Sequence, residues 1–201
     1  MSTVSTTGQA EATATARSAP PGRISLAEYE GWIDSGAIEE GAPIELFEGR
    51  LVRKMTKGRR HCASSVKGLQ AIERMLPPGW FVGTELPIRM PSSAGMPEPD
   101  LSVTRGEADD YLERAPGPAD VALVVEIGDS SLFEDRRRAA VFLAEGYPAY
   151  WVVNIPDRRL EVYTPAGVEI LPEGASVELI LDGAAIARIA VADLLPRRTA
   201  D

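Results

Sequence analysis

Two acidic residues stand in apolar, strand-like surroundings: Asp100 in Pro97-Glu98-Pro99-Asp100-Leu101-Ser102-Val103 and Glu126 in Val121-Ala122-Leu123-Val124-Val125-Glu126-Ile127. An ionised carboxylate at the end of a buried strand is costly unless it is paired or holds a metal. Two of them on neighbouring strands suggest a site for a hard cation such as Mg²⁺, which takes oxygen ligands and leaves positions for water and phosphate. A cation held there lowers the pKa of a bound water and neutralises charge developing on phosphorus, so phosphodiester hydrolysis is the natural reaction. The plainer alternative is that each acid pairs with an arginine or a helix N-terminus and does nothing more. A carboxylate pair also serves glycoside hydrolysis, but 6% aromatic content leaves few platforms for a sugar ring.

The chain has 201 residues, and its 30 acidic and 21 basic residues give a formal net charge of −9, which argues against a surface that coats nucleic acid generally. The distribution says more than the sum. Arg50, Arg53, Lys54, Lys57, Arg59, Arg60 and Lys67 follow one another with no acid between them. That segment offers one local basic patch for a phosphate backbone, with Arg53, Lys54, Lys57, Arg59, Arg60, His61 and Lys67 as candidate nucleic-acid contacts. The competing reading is a solvated face that balances the acidic remainder.

Cys62 is the lone cysteine, so no intrachain disulfide forms, and a reducing cytoplasm is the simplest setting. No apolar run approaches the roughly 18 residues that a membrane helix needs, and the N-terminus lacks a basic start followed by a hydrophobic stretch. Residues 1–22, rich in Ser, Thr, Ala and Gly, predict a disordered tail. Residues 23–197 predict one domain.

The elements that must position the acids follow from pattern. Ser25-Leu26-Ala27-Glu28 has capping-box spacing and starts a short helix to about Asp34. Ile44 to Phe47 and Leu51 to Met55, around Glu48-Gly49-Arg50, predict a β-hairpin. Val66, Leu69, Ile72 and Leu76 recur at helical spacing from about His61, and Pro77-Pro78-Gly79 stops that helix. Trp80 to Met90 predicts a long strand with an irregularity at Pro87, and Glu107 to Arg114 a short helix. Val121 to Ile127 is almost continuously apolar, as a central strand covered on both faces should be. A helix from about Asp129-Ser130-Ser131 to Glu145 ends at Gly146. Tyr150 to Asn154 and Arg159 to Tyr163 form a second hairpin, followed by extended pieces at Val168 to Leu171 and Val177 to Leu181 and a terminal turn at Val191 to Leu195. The order predicts an α/β fold with a mixed sheet and a βαβ unit between the Glu126 and Trp151 strands.

The runs Glu45-Leu46-Phe47-Glu48-Gly49-Arg50-Leu51-Val52, Glu98-Pro99-Asp100-Leu101, Leu123-Val124-Val125-Glu126-Ile127 and Gly146-Tyr147-Pro148-Ala149-Tyr150-Trp151-Val152-Val153 occur in this order. Together they resemble the Uma-type restriction endonucleases, a branch of the PD-(D/E)xK nuclease superfamily, from about Leu26 to Leu195. The resemblance implies a restriction-endonuclease-like core, a mixed central β-sheet flanked by helices with additional β-hairpins. It implies a DNA endonuclease using Mg²⁺, or Mn²⁺ in its place, with Asp100 and Glu126 as metal ligands and Glu45 as a supporting upstream acid. The resemblance also implies a homodimer, because many nucleases of this architecture act as dimers to cut two strands.

One position departs from that pattern. The superfamily has Lys two residues after the second acid, where this chain has Gly128, and a Lys on the following helix, which takes over in this branch, is also missing. Counting back from Gly146-Tyr147-Pro148 puts Arg138 at the helix position; counting forward from Asp129-Ser130-Ser131 puts Ala139 there. An Arg keeps the positive charge but is a poor proton donor, so a catalytically degenerate module that binds nucleic acid or protein is the alternative. Arg136-Arg137-Arg138 also reads as a solvated face pairing with Glu134 and Asp135. His61 reads either as a DNA contact or as a surface side chain, and Tyr150, Trp151 and Tyr163 as packing aromatics. Asp129 and Ser130 read as helix-start residues, and Glu98 as solvent-facing.

Overall fold

The computed structural model describes residues 22–198; apart from Gly22, the expected tail lies outside the described residues. In chain order the elements are α1 (Leu26–Asp34), β1 (Ile44–Phe47), β2 (Arg50–Arg53), α2 (Arg59–Glu73), β3 (Trp80–Thr84), β4 (Leu101–Arg105), a 3₁₀ turn (Ala108–Tyr111) and β5 (Val121–Gly128). There follow α3 (Leu132–Glu145), β6 (Tyr150–Asn154), β7 (Arg159–Thr164), β8 (Gly167–Pro172), β9 (Ser176–Leu181), β10 (Ala184–Ala190) and α4 (Val191–Leu194). Strands β3 to β8 form one six-stranded sheet in sequence order, and β1–β2 and β9–β10 are separate antiparallel pairs. Within the sheet only β5 and β6 run parallel, joined by α3 as the expected βαβ unit.

Every residue of β5 is buried, because the sheet is covered on both sides. On one side Leu101, Val103, Leu123, Val125, Ile127, Trp151 and Val153 pack against Ala71 and Ile72 of α2, with β9–β10 and α4 completing the layer. Gly68 brings α2 close: a Cβ there would come within 2.9 Å of Leu101 Cδ1. On the other side Val121, Val124, Tyr150 and Val152 pack against Ala139 and Phe142 of α3 and Phe47 of β1. The Phe142 ring is 5.0 Å from Tyr150, 5.3 Å from Tyr147 and 6.2 Å from Phe47. Those contacts fix α3 on the sheet, and α3 carries several residues of the cleft described below.

Local signals act as expected at most element ends. Ser25 Oγ accepts from the Glu28 N–H at 3.2 Å and Glu28 Oε2 accepts from the Ser25 N–H at 2.8 Å, closing the capping box. Glu48 and Gly49 both have positive φ, 49° and 72°, so β1 and β2 join through a two-residue turn and β2 begins at Arg50, a residue earlier than expected. Gly146, at φ 103°, ends α3 in the left-handed conformation.

Three expectations need correction. The strand from Trp80 stops at Thr84, because Glu85 turns to φ 53° and its N–H is shared between Pro99 O at 3.1 Å and Asp100 O at 3.4 Å. The helix over Glu107 to Arg114 shrinks to a 3₁₀ turn at Ala108–Tyr111. Strand β10 was not expected: Ala184-Ala185-Ile186-Ala187 has little strand propensity, and pairing with β9 after the Asp182-Gly183 turn overrides it.

Candidate functional site

The β4–β5 register pairs Leu101 with Val125, so one step further along the antiparallel pair Asp100 comes opposite Glu126. The Asp100 N–H approaches Glu126 Oε2 at 3.4 Å, and the Ile127 N–H donates to Asp100 Oδ2 at 2.7 Å. Glu45 arrives from β1, held by the bridge between Leu46 and Met96. Its Oε2 accepts the Glu98 N–H at 3.0 Å, and its Oε1 accepts from Arg138 Nη2. Arg138 thus resolves the ambiguity on α3. Its guanidinium lies 4.5 Å above the Phe47 ring and 4.0 Å from Glu126 Oε1, whereas Ala139 is buried in the core.

These residues line a cleft of about 900 Å³. Eight carboxylates but four lysine or arginine side chains face it; without an added cation the cleft repels a polyanion. Burial is the largest influence on Asp100 and pushes its carboxyl up, but hydrogen bonds and charge from His61 and Lys57 outweigh it and hold the group below its usual value. Burial, then the Asp100 charge, pushes Glu126 well above the ordinary carboxylate range, and Arg138 offsets only part. Among the described residues Glu126 accepts that single long N–H, and the buried Tyr150 hydroxyl finds no hydrogen-bond partner. Under-satisfied polar atoms at an acid pair call for a further polar occupant.

The donor set is hard and open. No group of three or more His, Cys, Asp or Glu among the described residues is arranged as a metal cage. Two carboxylates with the remaining positions left to water and phosphate suit Mg²⁺ better than a structural zinc.

Asp135 on α3, which the sequence offers only as a partner of the arginines on a solvated face, lies in the cleft. It is 8% exposed, its Oδ2 accepts from Ser131 Oγ at 2.7 Å, and burial raises it to about 6 against the Ser131 hydrogen bond. The signal was its place with Arg138 and Phe142 on the inward face of the helix, spaced by three and four residues. Because the folded-state pKa is raised, the native state binds the proton more tightly, and stability falls as pH rises from about 4 to about 6. In EDTA, urea unfolding of Asp135→Asn should lack that decline, amounting to at most about 3 kcal/mol at neutral pH. An unchanged profile would place the titration elsewhere.

The basic segment is not one solvated face. Lys57 Nζ and His61 Nε2 lie 2.6 Å and 2.8 Å from Asp100 Oδ1, Lys54 pairs with Glu98, and Arg60 lies 3.6 Å from Asp129. Lys67 donates to the Ala192 carbonyl at 3.1 Å, while Arg53 and Arg59 are exposed. His61 is therefore no surface histidine, and Glu98 does not point to solvent: the acids that the sequence scatters draw these bases inward. On α3, Ser131 is the N-cap residue without a side-chain capping bond. Arg136 forms two hydrogen bonds to the buried Glu161, Arg137 pairs with Glu134 and Glu48, and Arg138 with Glu45, so the three arginines do not form one solvated face. Tyr150 and Trp151 are buried in the core layers, and Tyr163 donates to Glu161 at 2.9 Å.

The described residues contain no helix long and apolar enough to cross a membrane. No curated protein matches the chain. A crystal structure described as a putative nuclease belonging to DUF820, from Anabaena variabilis ATCC 29413, is similar at 19% identity and a TM-score of 0.66, covering 85% of this chain and 97% of that one. At that identity the likeness speaks for the fold, and the fold agrees: a mixed sheet with helices on both faces and added hairpins. The family model described as Uma2, "Putative restriction endonuclease", matches residues 26–191, from α1 to the start of α4 and across both central acids, and the chain belongs to that family.

Proposed function

We propose that the protein is a Mg²⁺-dependent endonuclease that hydrolyses phosphodiester bonds in DNA, with Mn²⁺ able to substitute. The observation that carries this reading is the meeting of Asp100 and Glu126 at the end of two central strands, in a cleft whose carboxylates outnumber its lysines and arginines. The family description, and that of the Anabaena protein, point the same way. Asp100 and Glu126 would hold the cation, which when bound acidifies a water and neutralises charge at phosphorus. Glu45 anchors the Glu98 backbone and Arg138, keeping the strand that leads into Asp100 in place. Arg138 adds fixed positive charge beside Glu126, and the exposed Arg53 and Arg59 meet the DNA backbone. A cytoplasmic setting, expected from the lone cysteine, suits a DNA substrate, and a homodimer would supply the second site that a double-strand cut needs.

The test is nicking of supercoiled plasmid by the purified protein in Mg²⁺, Mn²⁺ and EDTA. Nicking that requires the divalent ion is the expected result; nicking in EDTA, or none at all, overturns the proposal. Gly128, where the superfamily has lysine, favours a second reading, a degenerate module. That reading predicts DNA or metal binding without cleavage.

A further inference from the structure

We propose that Lys57 is the cation that contacts the scissile phosphate, delivered from the loop before α2 instead of from the β5 strand. The inference rests on the endonuclease reading and deepens it. The space beside Gly128 is already filled: an ideal Cβ there would lie 2.4 Å from Leu132 Cδ2 and 3.0 Å from Asp135 Oδ2. A side chain at 128 would first have to displace the Leu132 and Asp135 side chains of α3. Arg138 supplies charge from behind, but its guanidinium is held by Glu45, stacked on Phe47 and only 12% exposed. Lys54 is occupied by Glu98.

Lys57 differs from each of these. Its Nζ lies 2.6 Å from Asp100 Oδ1 and 3.1 Å from Glu85 Oε1, and its side chain is 31% exposed. It comes from the stretch 54–58, which has no regular structure and connects β2 to α2, so a small shift of its tip is inexpensive. The ammonium occupies the Asp100 oxygen that a cation would use. A divalent ion held by Asp100 would compete with the ammonium for that oxygen, and the released ammonium would be available to a phosphate in the cleft. There its three donors act as a compact charge that a planar guanidinium cannot duplicate. His61 Nε2, 2.8 Å from the same oxygen, helps to orient Asp100.

The test compares the unmodified protein with Lys57→Met, a substitution of similar length. Calorimetry with Mn²⁺ reads the competition at Asp100: K57M should bind Mn²⁺ more tightly, by about threefold or more, because a positive charge has left the site. That gain reads the competition at Asp100, and the cleavage rate reads the phosphate contact. At saturating Mg²⁺ the cleavage rate of K57M should fall about 100-fold, with Lys57→Arg restoring only part. Unchanged or weakened Mn²⁺ binding, or cleavage at the unmodified rate, overturns the proposal. If the unmodified protein cleaves nothing, the endonuclease reading fails separately; duplex affinity in Ca²⁺ then decides, a loss in K57M sustaining the phosphate contact and no change overturning it. Should Met at 57 lower the melting temperature, Lys57→Gln carries the same measurements.

Discussion

Glu126→Gln is expected to abolish plasmid nicking, by about a thousandfold or more, while leaving the protein at least as stable in EDTA as the unmodified chain. The two halves of that result have one cause. Glu126 is a buried carboxylate beside the Asp100 charge, held well above the usual range, with a single N–H at 3.4 Å. Without a cation its ionised form is a burden on the fold; a neutral amide of the same shape removes the burden and the metal ligand together. A thousandfold corresponds to about 4 kcal/mol of barrier, which is what one Lewis-acid centre supplies. Asp100→Ala should stop cleavage equally but cost stability, about 1 to 3 kcal/mol, because the buried Ile127 N–H loses its acceptor and Lys57 and His61 lose theirs. Nicking and urea unfolding of the two variants separate ligand loss from damage to the fold. Full cleavage by Glu126→Gln would show that this acid holds no cation, and the proposed site would fall with it.

The second large effect belongs to Arg138→Met, which should destabilise the protein by about 3 to 5 kcal/mol in urea unfolding at neutral pH. Burial opposes the Arg138 charge, but Glu45 and Glu126 outweigh that opposition and raise its pKa. Removing it leaves Glu45, 4% exposed, as an unpaired buried charge and takes from Glu126 its nearest positive neighbour. The double variant Glu45→Gln/Arg138→Met should recover most of the loss, since the penalty comes from the stranded carboxylate rather than from a missing attraction. A loss below about 1 kcal/mol in Arg138→Met would mean that the pair contributes no more than a surface ion pair. The recovered double variant should still be impaired in cleavage, because Arg138 also supplies charge beside Glu126.

Much of the frame was readable from local rules. The Ser25 cap, the Gly49 turn, the Pro77-Pro78-Gly79 stop and the Gly146 cap act through neighbouring backbone, so short spacings suffice to place them. The apolar run Val121 to Ile127 predicted a central strand for the same reason: both faces need cover, and no polar position interrupts it before Glu126. Where a distant partner decides, local pattern failed. The strand from Trp80 ended early because Glu85 follows the Pro99 carbonyl, and β10 formed from alanines because β9 was there to pair with.

The candidate site divides along the same line. Asp100 and Glu126 stood out by themselves, because a charge set into a strand end conflicts with its surroundings, and that conflict is written in the order of residues. Which bases answer them was not, because Lys57 and His61 lie about forty positions from Asp100 in sequence and reach it only through the packing of α2 on β4. The choice between Arg138 and Ala139 depended on the angle at which α3 meets the sheet, set by Phe142 against Tyr147 and Tyr150. Sequence by itself determined most of the elements and singled out the two acids, since those follow from propensity and from the cost of a buried charge. Only tertiary structure decided their company, because ion pairing depends on distance in space and the chain's order does not record it.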